Sequence, residues 1–384
     1  MDAFILLDYD TLRIIWWLLL GVLLAAFAVM DGADLGIAML LPVVTKNDAE
    51  RRVLFNVIGP VWEGNQVWLI LAGGVVFAAW PLLYAMAFSG FYLAMMLLLV
   101  ALIARPVAIK YRSKMSSITW RNRWDAIWCA TGIVAALVFG VAVANIIIGT
   151  PFGFDVSTLR PVYEGSFFGL FTPFTLLVGV ISILMMAFQG AVVLAGKTEG
   201  SIASLSKRWA IYTGVLCAVL FVLAGWWVAS AIPGYAIESA AAAHGYSNPL
   251  AKTVVVETGG WMSNFGLHPW MWLAPVAGVG GVILALLLLN LRSGVPALFF
   301  SSLSVVGVVF TFGFATFPFL MPSSLQPDSS LTIYDASASH FSLWIMLLIS
   351  CFFLPLIVMY TSWVYRVMRG KVTPKSIDEA PHSY

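Results

Sequence analysis

The chain has 384 residues, 61% hydrophobic and 10% charged, with a mean hydropathy of +0.95. A water-soluble domain carries about 25% charged and about 45–50% apolar residues, so a soluble enzyme, a disordered chain and a nucleic-acid binder are excluded and lipid is the solvent. The net charge of +2 says nothing until it is mapped loop by loop, and Cys129, Cys217 and Cys351, each in an apolar stretch, are too scattered for a disulfide framework or metal cluster.

A membrane-crossing helix needs roughly 20 apolar residues at about 1.5 Å each. That rule predicts nine spans, at residues 14–41, 53–79, 82–104, 124–148, 168–195, 209–231, 270–291, 296–320 and 341–365. Residues 1–12 are acidic and the first span is too long, so a cleavable signal peptide is not expected. Lys46, Arg51 and Arg52 follow span one; Arg105, Lys110, Arg112, Lys114, Arg121 and Arg123 follow span three. Lys197, Lys207 and Arg208 follow span five, Arg292 follows span seven, and Arg366, Arg369, Lys371 and Lys375 form the tail. Thus 17 of the 20 basic residues fall on one side, leaving Arg13, Arg160 and Lys252 on the other. The excess of basic residues marks the cytoplasmic face, which puts the N-terminus outside and the C-terminus in the cytoplasm.

Tryptophans support the same frame as interfacial anchors. Trp16, Trp17, Trp80, Trp226, Trp227, Trp270 and Trp344 fall near predicted outer boundaries, and Trp120, Trp124, Trp128, Trp209 and Trp363 near inner ones. Trp62 and Trp68 lie within span two and do not fit the belt.

The chain also repeats itself. LAGGVVFAAWP at 71–81 and LAGWWVASAIP at 223–233 share six of eleven positions. VFGVAVAN from Val138 weakly echoes VFTFGFAT from Val309, and Asp31-Gly32-Ala33 corresponds to Gln189-Gly190-Ala191. Each pair is four spans apart and points the same way, as in parallel-repeat membrane proteins. The expected architecture is an all-α polytopic protein with a single membrane domain. Residues 1–150 form one four-helix bundle and 151–322 a second, with a ninth helix and tail at 323–384. The loop at 232–268 is too short for more than a cap.

A carboxylate deep in a membrane costs roughly 2.5–3.5 kcal/mol, so it faces protein or water. Asp31 and Asp34 lie three apart on one face of span one. Glu63 lies about 12 residues, or about 18 Å, from the basic cluster that precedes span two, close to the midplane. Around it, Gly59-Pro60 interrupts the helix, while Asn65 and Gln66 add hydrogen-bonding capacity. Interrupted, polar helix at depth survives where it lines a cavity or packs within a bundle. The functional reading is a proton path from the cytoplasm past Asp34 and Asp31 to Glu63; the structural one is interhelical bonding, with Arg105 as the ion-pair partner. Arg105-Pro106 itself reads as a topology signal with a proline stop, or as that partner.

Of the four histidines, His244, His268, His340 and His382, none is predicted at mid-membrane, where a haem would want an axial ligand. No Walker loop, GxGxxG, HExxH or CxxC occurs, so no metal site is expected. From residues alone, a proton-coupled secondary transporter also accounts for midplane acids and broken helices. It calls for polar sites in both halves, however, and the second half offers Gln189 and Asn290 but no mid-membrane acid.

These segments resemble subunit II of the cytochrome bd-type quinol oxidases. The resemblance runs through IIWWLLLGVLLAAFAVMDGADLGIAM within 12–39, Asn47-Asp48-Ala49-Glu50-Arg51-Arg52, WEGNQVW at 62–68 and AGGVVFAAWPLLYAMAFSGFY from Ala72. It continues through Arg105-Pro106, Tyr111-Arg112-Ser113-Lys114, Trp120-Arg121, Trp124-Asp125, Ser247-Asn248-Pro249-Leu250, FPFLMPSS from Phe317 and Ser330-Leu331-Thr332, and so covers nearly the whole chain.

The resemblance implies a multi-pass protein of the bacterial inner membrane with no catalytic centre and no cofactor of its own. Its partner, a homologous subunit I, carries b-type haems and haem d, oxidises ubiquinol and reduces oxygen to water. A small single-span subunit often joins the pair, lipid surrounds it, and some relatives hold a structural quinone in subunit II. Protons come from the cytoplasm, and the contributing acid of subunit II matches Glu63; Asp31 and Asp34 match the family's DGxDxG segment. Two departures stand out. Val61 occupies a position where many relatives have histidine, leaving Glu63 more dependent on Trp62, Gln66 and water. Lys110 replaces an acid common before Tyr111-Arg112, so no role of that acid transfers.

Overall fold

The fold is described from a computed structural model that covers residues 5–155, 157–158, 160–240, 247–291 and 294–373. Arg292, Lys375, His244 and His382 lie outside these described residues. The first helix, α1 (Tyr9–Val44), starts where Asp8 accepts a hydrogen bond from Thr11 N at 2.9 Å, satisfying one of the free N-terminal amides. α2 (Asp48–Ile58) and α3 (Trp62–Ala79) follow, then α4 (Pro81–Gly90), α5 (Tyr92–Tyr111) and α6 (Ile118–Ile148). A hairpin of β1 (Phe152–Phe154) and β2 (Pro161–Tyr163) leads to α7 (Pro173–Lys197) and α8 (Gly200–Ser230). A second hairpin, β3 (Pro233–Ala240) and β4 (Lys252–Thr258), precedes the short α9 (Ser263–Leu267), α10 (Leu273–Asn290) and α11 (Gly294–Thr316). A third, β5 (Phe319–Met321) with β6 (Leu331–Thr332), leads to α12 (His340–Val367).

Among the described residues eight helices are long and apolar enough to cross a membrane: α1, α5, α6, α7, α8, α10, α11 and α12. The pair α2–α3, bent by 49°, makes a ninth. The connections gather into two sets. At one end Arg51 and Arg112 both pair with Asp125, at 2.9 and 2.5 Å, and Lys371 reaches Glu199 at 3.1 Å. At the other, Tyr9 donates to Ala338 O and Thr150 N to Pro322 O. The first set holds the basic loops and is called the basic end.

α1 is the central helix, packed against α3, α6, α7 and α11, with α12 along its flank. Its crossing with α7 is backbone on backbone. A Cβ on Gly190 would sit 2.6 Å from Ile37 N and 2.7 Å from Gly36 C, and one on Gly36 would collide with the Met186 carbonyl. The segments around Asp31 and Gln189 are therefore the two that meet here.

Several sequence expectations need correction. Span two is not a straight helix. Pro60 lacks an amide hydrogen, the chain tightens so that Val61 N donates to Ile58 O (2.9 Å), and a new helix starts at Trp62. Span three is broken at Phe91, and Pro106 does not stop it: α5 continues to Tyr111, with Pro106 inside the helix. Trp16, Trp80 and Trp128 are not interfacial anchors but fully buried core residues. Trp16 Nε1 donates to Leu343 O at 3.0 Å, and Trp128 stacks on Phe55 at 4.0 Å between centroids. Trp226, Trp270 and Trp363 are exposed, as anchors should be.

Two basic residues away from the basic end are accounted for by burial. Arg13 pairs with Asp10 at 2.8 Å, its guanidinium lies over the Tyr9 ring at 3.5 Å, and its Nε donates to Ser337. Lys252 pairs with Asp335 at 2.9 Å. Burial pushes the Asp335 carboxyl above the usual range, and Lys252 opposes that shift.

Candidate functional site

The site is built from α1 outwards. Asp31 and Asp34 share one face of that helix, and both are buried. Arg105, on α5, reaches in beside them: Nη2 is 2.6 Å from Asp31 Oδ1 and 3.5 Å from Asp34 Oδ2. α3 adds Asn65, whose Nδ2 donates to Asp34 Oδ2 at 2.8 Å. From α12, Tyr365 Oη donates to Asn65 Oδ1 at 2.9 Å, which fixes the amide so that its nitrogen faces Asp34.

Two buried carboxyls thus share one buried guanidinium. A buried charge without a partner is costly, so the cluster is neutral only when it holds one proton in addition to Arg105. The cluster binds α1, α3, α5 and α12 together.

Glu63 is elsewhere. It stands in the first turn of α3, its side chain 64% exposed, and pairs with Lys110 Nζ at 2.9 Å. Helical spacing gives the reason: Trp62, Asn65, Trp68 and Ala72 form the buried face, and Glu63, about 100° round from Trp62, points away from α1. The helix break also moves Glu63 from the expected mid-helix position to a helix end. Gln66, one turn on, is half-buried on the same side. Trp62 is buried, its ring 5.8 Å from the Arg105 guanidinium carbon and 5.7 Å from Lys110 Nζ, within cation–π range of both. Trp62 and Asn65 therefore stand between Glu63 and the aspartates.

Of the residues singled out from sequence, Asp31, Asp34 and Arg105 come together, Trp62 adjoins them, and Glu63 and Gln66 face another way. Asn65 and Tyr365 are additions. Asn65 carries a sequence signal, being a polar residue three from Trp62 in the interrupted helix. Tyr365 carries none, since a tyrosine near the end of an apolar span reads as an interfacial anchor.

Asp34 also lines a cavity of ≈ 620 Å³ bounded by α1, the α2–α3 break, α7, α11 and α12. Gln189 and Thr361 lie on its walls, and Lys197 and Arg369 line it where it approaches the basic end.

The family model for cytochrome bd terminal oxidase subunit II matches residues 12–368 of this chain. The chain is 45% identical over 378 residues to cytochrome bd-I ubiquinol oxidase subunit 2 of Escherichia coli (strain K12), covering 98% of this chain and 100% of that protein. It is 43% identical, with the same coverage, to a probable cytochrome oxidase subunit 2 of Haemophilus influenzae. The fold matches a chain of the bd oxidase from Geobacillus thermodenitrificans with a TM-score of 0.68 at 15% identity, covering 93% of this chain and 98% of that one.

Proposed function

The chain belongs to the cytochrome bd terminal oxidase subunit II family, and from that premise we propose that it completes a quinol oxidase whose haems reside in subunit I and conducts part of the proton supply for oxygen reduction. As a family member it is a multi-pass protein of the bacterial inner membrane, a subunit of an oxidoreductase complex, and works with subunit I. In the proposed assembly ubiquinol is the substrate of the complex, a small single-span subunit and lipid complete it, and a structural quinone is an optional resident.

The observation that carries the proton role is the cluster itself: Asp31 and Asp34 with one cation between them, 2.6 and 3.5 Å away. Protons reach it from the cytoplasm, which is the basic end by the distribution of Lys and Arg; the N-terminus is then outside and the C-terminus cytoplasmic. Glu63, exposed beside Lys110 near that end, serves as an acceptor at the entrance. Trp62 and Gln66 flank the passage, and Asn65 orients the Asp34 carboxyl by donating to its Oδ2. Placement of the haems in subunit I rests on the family membership; the described histidines stand away from the aspartate cluster. His268 follows α9, and His340 opens α12 with Nε2 2.8 Å from Leu7 O, so both lie at the end opposite the basic loops. The pairing of α1 with α7, which carry the similar Asp31-Gly32-Ala33 and Gln189-Gly190-Ala191 segments, supports two related four-helix units, 1–150 and 151–322, with 323–384 appended.

The test is quinol-driven oxygen consumption in membranes holding subunit I with the wild-type chain, Asp34→Asn or Glu63→Gln, with assembly followed by the haem d band. The reading expects the band to persist while turnover collapses for Asp34→Asn and drops for Glu63→Gln. Full turnover in Asp34→Asn would overturn it and leave the cluster a structural brace.

A further inference from the structure

The ≈ 620 Å³ cavity runs from the basic end to the level of Asp34. Along α12 its wall extends from Val358 to Arg369, about 16 Å of helix, close to the roughly 15 Å of one leaflet's hydrocarbon. The walls are mainly aliphatic, with Val29, Ile37, Val192, Val193 and Leu298 among them. Their polar groups are spent inside the protein. Asn56 Nδ2 donates to Arg52 O at 2.8 Å, Gln189 Nε2 to Ser302 Oγ at 2.9 Å and Tyr365 Oη to Asn65 Oδ1 at 2.9 Å. The unpartnered oxygens of Gln189 and Thr361 are themselves buried and offer the cavity no surface.

The space opens sideways as well as towards the basic end. Among the described residues α12 packs along α1 and α3 but not along α11. Val295 on α11 and Val358 on α12, both on the cavity wall, are 81% and 50% exposed. An apolar slot that opens to a bilayer takes up hydrocarbon, since water there gains no partners.

The mouth carries charge. Lys197 ends α7 and Arg369 follows α12, and the chain beyond α12 folds back so that the two meet. Lys197 Nζ donates to Met368 O, and Val372 N donates to Lys197 O at 2.8 Å. Both cations line the cavity, and neither has a carboxylate partner among the described residues. The nearby acid Glu199 is taken by Lys371 at 3.1 Å.

We propose that this cavity binds one molecule of phosphatidylglycerol, an acyl chain lying in the slot and the phosphate between Lys197 and Arg369, independently of any proton role of the aspartates. Basic pockets between helices at the membrane surface select anionic headgroups. A phosphatidylethanolamine headgroup would bring an ammonium up to two cations that lack a counter-charge, and a quinone ring, being neutral, would leave both unanswered.

The experiment places the assembled oxidase in nanodiscs of equal phosphatidylglycerol and phosphatidylethanolamine. After extraction and washing in detergent, retained lipid is counted by native mass spectrometry, and the haem d band reports assembly. Wild type should keep one phosphatidylglycerol. The double variant Lys197→Gln, Arg369→Gln should lower that retention on the order of tenfold. Arg208→Gln, a basic residue at the same end that does not line the cavity, should leave it unchanged. Val193→Trp fills the slot while keeping both cations, and should also lose the lipid. A phosphatidylglycerol with a photoreactive group at the end of its acyl chain tests the unaltered complex, and should crosslink near Val193 on α7 or Val358 on α12. Equal retention of the two phospholipids, unchanged retention in the double variant, or a quinone held in their place would each overturn the proposal. So would crosslinks confined to the outer surface, or full retention in an assembled Val193→Trp complex, since either leaves the lipid outside the cavity.

Discussion

Arg105 Nη2 lies 2.6 Å from Asp31 Oδ1, and neither side chain is more than 1% exposed. An ion pair so enclosed is a poor source of net stability but an expensive one to break, because the group left behind has no water to turn to. Its second carboxyl, Asp34, makes the arrangement asymmetric: removing the cation strands two acids, whereas removing one acid leaves a matched pair.

Arg105→Leu is therefore expected to cost about 3–5 kcal/mol and to abolish accumulation of the assembled oxidase, read as loss of the haem d band. Asp31→Asn or Asp34→Asn alone should retain the band. The triple variant Asp31→Asn, Asp34→Asn, Arg105→Met should recover assembly without turnover. If Arg105→Leu assembles as well as wild type, the cluster bears no weight in the fold.

The α1–α7 crossing predicts a different kind of failure. At Gly190 the obstacles to a side chain are backbone atoms of Ala33, Gly36 and Ile37, which cannot rotate aside. Gly190→Ala should cost about 1–3 kcal/mol through forced separation of the helices, and Gly190→Leu should prevent assembly. Gly280, with open space around its Cβ position, should accept alanine without loss. Thermal melting of the purified complex distinguishes the two sites.

How far the chain could be read in advance depended on whether each feature was local. The apolar spans, eight or nine with the bent α2–α3 pair, and Asp31 with Asp34 on one helical face follow from composition and spacing; Arg105 carried two readings, a topology signal or their partner, and the fold makes it the partner. Glu63 shows where spacing misleads. Counting residues along an assumed straight helix placed it near the midplane, but the break at Gly59-Pro60-Val61 restarts the helix and puts it at an end, beside Lys110. Trp16, Trp80 and Trp128 show another limit, since residue type near a boundary does not say whether the side chain turns towards lipid or core. The Tyr365 bond to Asn65 spans 300 positions, and no local pattern announces it.

The Lys252–Asp335 pair gives a pH prediction at the end away from the basic loops. The folded pKa of Asp335 lies above its unfolded value because burial disfavours the carboxylate. The stability contribution of the protonated group is thus fully present below the unfolded pKa of about 3.9 and is lost as pH rises through the folded one. Asp335→Asn mimics the protonated form at every pH. The melting temperature of wild type minus that of Asp335→Asn should fall as pH rises from 4 and then level off; a difference that grows with pH would contradict the burial argument.

Tyr365 acts at one remove from the acids. Its hydroxyl holds Asn65 Oδ1 at 2.9 Å, and that orientation gives Asp34 its 2.8 Å donor. Tyr365→Phe deletes one neutral hydrogen bond, worth about 1 kcal/mol, so the haem d band should persist. The freed amide can then turn its oxygen towards Asp34, an acceptor facing an acceptor, and proton transfer at that carboxyl should slow. The expected signature is a several-fold drop in turnover with a larger solvent deuterium isotope effect, because proton delivery becomes the slow step. Asn65→Leu, which removes the donor outright, should show both effects more strongly. A purely bracing role for Tyr365 would lower thermal stability while leaving the isotope effect at its wild-type value, and that result would remove Tyr365 from the proton pathway.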